Sequence, residues 1–162
     1  MDIADALQTY FAAERLTGIV FAIYGVVLFG LAAFLYHAHT GQFMWSIVVP
    51  LGLIGLLAAG GGGWIAAKTG PQLATLKAAT AADLLATELP RMVKVNANWI
   101  RLEITWTVII VGSLAMLWLG KREWTTGLSL ALLIAATSAM VLDVLAERRA
   151  KVYTTALERM SP

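Results

Sequence analysis

The sequence predicts an all-α integral membrane protein with four transmembrane helices in two hairpins, and three observations carry that fold class. Only 14% of the 162 residues are charged and 59% are hydrophobic, against about 25% charged in soluble domains. Four stretches meet the bilayer length test of roughly 20 mainly apolar residues, namely 16–36, 43–67, 102–119 and 124–142. Lys and Arg gather on one side of those stretches, as cytoplasmic flanks do.

The elements follow in order. Residues 2–15 contain no helix breaker and read as a continuation of the first span. Asp2, Asp5 and Glu14 are there, with no Lys or Arg before Arg15. That is the reverse of a basic signal-peptide start, so the first span is expected to be retained. His39 to Gln42 forms a short outer turn. In the second span Pro50 is expected to kink the helix. Gly70-Pro71 is expected to break it, with Pro71 opening a new helix. The connection 69–98 reads mostly as helix, with Leu73, Leu76, Leu84 and Leu89 as its apolar stripe and Pro90 interrupting its far end. A second short turn, Gly120 to Glu123, joins the last two spans, and residues 143–159 extend the final helix below the membrane. A chain of this length is one domain, taken as 1–162 with the helical connection 69–98 inside it.

Orientation follows from the count of bases. Arg15, Lys68, Lys77, Arg91, Lys94, Arg101, Arg148, Arg149, Lys151 and Arg159 lie on one side, and Lys121 and Arg122 on the other. Both termini are therefore expected in the cytoplasm, in the plasma or inner membrane if the chain is bacterial. Trp45, Trp118 and Trp124 should mark the outer interface, Trp64 and Trp99 the inner one, and Trp106 lies deeper as a packing residue. The bases sit at helix ends rather than in one patch, which argues against a nucleic-acid partner. Absence of cysteine excludes disulfides, thiolate metal sites and cysteine nucleophiles.

The residues most able to carry chemistry form a charged belt at one depth: Glu14, Arg15, Arg101, Glu103, Asp143, Glu147, Arg148 and Arg149. Four acids and four bases sum to zero, as paired charges at a low-dielectric boundary require. Glu14 shares a face with Gly18, Phe21 and Gly25, Asp143 with Glu147, and Trp99 with Glu103 and Trp106. Tyr10, Phe11 and Tyr153 are expected to cover the lower bundle. Gly52, Gly55, Gly60, Gly61, Gly62 and Gly63 in the second span suit close helix packing, while four consecutive glycines could also unwind the helix around a cavity. His37 and His39 read as loop histidines, Gly62 to Thr69 fails as a phosphate loop, and no serine has a histidine and acid in a hydrolase pattern. No catalytic set, cofactor or metal is therefore expected.

These features favour a non-enzymatic membrane protein acting through helix association, as a homo-oligomer or with a membrane-protein partner, among membrane lipids. A small ion- or proton-coupled channel or carrier, with the belt at its cytoplasmic entrance, is the alternative. A lipid-headgroup-binding membrane enzyme is third.

Overall fold

The computed structural model describes residues 3–38 and 41–160. Among them the chain is four long helices without a strand: α1 (Ile3–Ala38), α2 (Gln42–Lys77), α3 (Ala81–Leu119) and α4 (Glu123–Glu158). All four are long and apolar enough to cross a membrane. Tyr36, His37 and Trp45 cluster edge to face beside the first turn; His39 lies outside the described residues.

The interior repeats every seven residues. Leu7, Glu14, Phe21 and Leu28 form one row of α1, and Phe11, Gly18, Gly25 and Ala32 the next. Thr69 joins Gly55 and Gly62 on α2, and α4 contributes Ser129, Ala136, Asp143, Ala150 and Leu157. A period of 3.5 residues holds a seam against a neighbouring helix in a left-handed supercoil. The helices pack as hairpins, α1 on α2 and α3 on α4, with α4 also against both α1 and α2. Helix α3 lies on α4 and has no comparable packing with α1 or α2. The α3 backbone therefore stays farther from α1 and α2 than from α4, and the helix meets α1 through side chains of the core described below.

The expectation that Gly70-Pro71 breaks the second helix needs correction. Helix α2 runs unbroken through Pro50 and Pro71 to Lys77, and the Thr75 hydroxyl donates to the Pro71 carbonyl at 3.1 Å. The break comes at 78–80, where Thr80 starts α3 with a capping box: its hydroxyl accepts from the Asp83 amide at 3.2 Å, and the Asp83 carboxylate accepts from the Thr80 amide at 3.1 Å. The exposed Asp83 carboxyl is held below its ordinary range by those Thr80 donors. Near Pro90 the α-helical register is interrupted, as expected, without the chain leaving the helix. Leu84–Glu88 takes a π-helical register just before the proline, which widens the turn where a proline ring would crowd the carbonyl four residues back.

Most large exposed apolar side chains occur in four belts, from Leu16 to Tyr36, Trp45 to Trp64, Ile100 to Leu119 and Trp124 to Leu145, with Val93 and Val152 beyond them. At 1.5 Å per residue each belt is about 28 to 32 Å tall, close to a bilayer's hydrocarbon thickness. The helices are longer than the belts. Their excess projects at one end, where Ala6, Leu7, Phe11, Leu84, Met92, Ala150, Tyr153 and Leu157 close a core of large side chains.

Candidate functional site

At the lower edge of the apolar belts lies a cavity of about 290 Å³. All four helices line it. From α1 come Tyr10, Glu14, Thr17 and Phe21; from α2, Ile65 and Lys68; from α3, Arg91, Val95 and Trp99; from α4, Asp143, Ala146 and Arg149, with Leu142. The seven-residue rows explain the inward carboxyls. Glu14 falls in the row of Leu7, Phe21 and Leu28, and Asp143 in that of Ala136 and Ala150, so both project where apolar residues otherwise pack.

Its polar groups are unevenly satisfied. The Asp143 carboxylate accepts the Trp106 indole N–H at 2.6 Å across α3 and α4. Arg149 donates to the Thr17 hydroxyl at 2.7 Å and to the Ala13 carbonyl at 3.5 Å, which holds its guanidinium against α1. Glu14 Oε2 and Trp99 Nε1 are both buried without a hydrogen-bond partner. One is an acceptor and the other a donor, and each would ordinarily be satisfied by protein, water or a ligand. Burial pushes the Glu14 carboxyl, two residues below the 16–36 span, above its ordinary range, with Lys68 as the largest opposing influence.

The floor of the cavity is closely packed. Tyr10 stacks on Tyr153 with ring centroids 4.6 Å apart, and Phe11 meets both edge to face. Arg91 grips the buried Glu88 with two hydrogen bonds, Nε to Oε2 at 2.7 Å and Nη2 to Oε1 at 2.6 Å. That bond holds the guanidinium more firmly charged than usual. Burial and the neighbouring Glu14 push the Tyr10 phenol up to about 12. Asn96 ties α3 to α4 through the Thr154 hydroxyl at 2.8 Å.

The eight belt residues meet only in part. Glu14, Asp143 and Arg149 share the cavity, while Arg15, Arg101 and Arg148 are exposed. Glu147 pairs with Lys151 at 2.5 Å, outside the belt, and that hydrogen bond lowers its carboxyl's pKa. Half-buried Glu103 sits beside it. Among the described residues the two ion pairs are Arg91 with Glu88 and Lys151 with Glu147, so the mutual pairing expected within the belt does not form. Lys68, Arg91, Glu88 and Tyr10 complete the site and were not singled out for it. Trp99 also turns inward rather than marking the interface, whereas Trp64 is 70% exposed.

The six glycines divide as the heptad rows dictate. A Cβ on Gly55 would lie 2.7 Å from the Phe29 amide nitrogen, and one on Gly62 would strike the backbone of Gly18 and Ala22. Gly52 has ordinary contact with Ala32 at 3.7 Å, and Gly60, Gly61 and Gly63 face open space. The run does not unwind, and only its Gly62 lies on the row that faces α1. Gly18 and Gly25 supply the other side of this seam, and Gly127 approaches α2 at Phe43 and Ser46.

No group of three His, Asp or Glu able to hold a metal occurs among the described residues. No family model matches the chain, and no curated protein or solved structure is similar to it.

Proposed function

We propose that this is an integral membrane protein, with both termini and residues 69–98 in the cytoplasm, that binds the polar head of a membrane amphiphile in the four-helix cavity. The observation that carries this reading is a cavity at the belt edge lined by all four helices, two of whose lining residues, Glu14 and Trp99, hold a side-chain polar atom buried without a hydrogen-bond partner. An amphiphile entering from the bilayer would leave its tails in lipid and bring its head to the residues that line this cavity. A volume of about 290 Å³ is at the lower limit of small-molecule sites, suited to a head group without its tails. The bases on the side of Arg15, Lys68 and Arg101 support the cytoplasmic assignment.

A second reading, association with another copy or a membrane partner, is favoured by Gly60, Gly61 and Gly63, which offer a smooth exposed face on α2. Native mass spectrometry of the detergent-extracted protein separates the two. A lipid retained on each chain and lost in Ala146→Phe, which fills the cavity, supports the site; a dimer lost in Gly60→Leu with no retained lipid supports association. Proton-dependent flux in liposomes that disappears in Glu14→Gln would instead make the cavity the entrance of a carrier. Single cysteines at Gln42 and Thr80 test the orientation. An impermeant thiol reagent should label Gln42→Cys and spare Thr80→Cys in intact cells, and the opposite pattern overturns it.

A further inference from the structure

We infer that the head group taken by this cavity is a zwitterion with a primary ammonium and a phosphate, as in an aminoethyl phospholipid. The inference rests on the reading of the cavity as an amphiphile site and names its ligand class.

Charge balance comes first. Arg91 is neutralised by Glu88, which leaves Lys68 and Arg149 against Glu14 and Asp143 as the charged groups facing the space. A site so balanced suits a ligand without net charge, since an unpaired ion would bear its desolvation cost alone. Anionic glycerol heads would bring a phosphate to the bases while offering no cation to the acids.

Hydrogen-bonding capacity then fixes the polarity of the head. Asp143 Oδ2 accepts from Trp106, which leaves Asp143 Oδ1 and, without any partner, Glu14 Oε2. That atom calls for an N–H donor, which a primary ammonium supplies and a trimethylammonium lacks. Tyr10, Phe21 and Trp99 line the same space, and aromatic faces attract such a cation. The phosphate is served by the donors that remain. Trp99 Nε1 is unpartnered, Arg149 has five N–H groups of which two are committed to α1, and Lys68 brings a compact charge at the rim. Arg149, held in place by Thr17 and Ala13, is pre-organised for a phosphate oxygen.

The test uses the full-length protein, stripped of lipid in detergent and offered equal amounts of phosphatidylethanolamine, phosphatidylcholine and phosphatidylglycerol before native mass spectrometry. The ethanolamine lipid should be retained roughly tenfold or more over both others, the worth of one hydrogen bond to a charged group. Glu14→Gln should lower its retention to the level of the choline lipid. If Glu14→Gln does not elute as a folded protein, Trp99→Phe replaces it and should lower retention of both phosphate zwitterions. Equal retention of the three lipids, abolished by Ala146→Phe, would defeat the zwitterion while leaving the amphiphile site intact. Retention unchanged by Ala146→Phe would defeat the site itself. Free O-phosphoethanolamine separates the sources: failure to displace the lipid supports a membrane ligand, and full displacement at equal concentration overturns it in favour of a soluble one.

Discussion

The same four helices are packed in two ways along their length. Within the apolar belts the seam between α1 and α2 is Gly18 and Gly25 against Gly55 and Gly62, and among the described residues the buried cluster there is Leu28, Ala32, Leu51 and Ala131. Below the belts, Phe11, Met92, Tyr153 and Leu157 are almost wholly buried. The difference is the one expected of belts that lie in lipid and a lower segment that lies in water. Burying a large apolar side chain is favourable when the alternative is water, whereas between lipid-facing helices it brings no such gain and close backbone approach takes over. Below the belts large apolar residues lie inside and charged ones such as Arg15, Lys94 and Lys151 outside; in the belts the large apolar residues lie outside.

The largest expected effect tests that contrast directly. Phe11→Ala removes a fully buried ring from the lower core and should destabilise the protein by about 3 to 5 kcal/mol. Leu57→Ala, at a side chain 75% exposed in the belt, should leave the thermal midpoint in detergent nearly unchanged. Equal losses at the two positions would mean that the two halves share one packing regime.

Next in size is the glycine seam. Gly62→Leu would force a side chain into the backbone of Gly18 and Ala22, and overpacking of this kind costs about 1 to 3 kcal/mol. Gly63→Leu, one residue along in open space, should be neutral or slightly stabilising, because leucine is the better helix former. The two midpoints and elution profiles, measured side by side, decide whether it is the row or the run of glycines that counts.

A third expectation concerns the ion pair under the cavity. Arg91→Met strands Glu88, whose side chain is 4% exposed, so it should destabilise more than the double replacement with Glu88→Leu. The coupling should be about 1 to 2 kcal/mol, within the range for contacting residues and moderated because Arg91 itself is 36% exposed. Additive losses in a thermal double-mutant cycle would remove the pair from the floor of the site.

Much of this arrangement was legible in the residues. Span lengths follow from apolar runs, and the positions of Glu14, Gly18 and Gly25 on one face follow from helical geometry. What local signals misjudged was continuity at Pro71. Both Pro71 and Pro90 are strong breakers in isolation, yet α2 runs through the first, while a π-helical stretch precedes the second. The site was legible only by halves. Glu14, Asp143 and Arg149 stand out as charges beside apolar spans, but which of them meet depends on the rotation of each helix about its axis. Two residues of uncertainty rotate a helix by about 200°. The seven-residue rows reduce that freedom, and the row Met92, Trp99, Trp106 and Ser113 of α3 would have turned Trp99 inward.

The smallest expected effect reads the lower half through its pH response. The Tyr10 phenol is pushed up to about 12, first by burial and then by Glu14, against about 10 in an unfolded chain. Because the folded state holds this proton more tightly, its contribution is fully present below pH 10 and is lost as the pH rises through about 12. Tyr153, raised mainly by burial, acts in the same direction. By pH 11 the loss from Tyr10 should reach about 1 kcal/mol. Tyr10→Phe, which keeps the stack on Tyr153 and removes the titrating group, should flatten the alkaline decline by that amount in thermal scans from pH 9 to about 11, a window set by the tyrosine pKa. A decline of the same slope in Tyr10→Phe would show that the phenol is open to solvent. The aromatic floor would then be part of a wet surface, and the contrast between the two halves would lose its lower member.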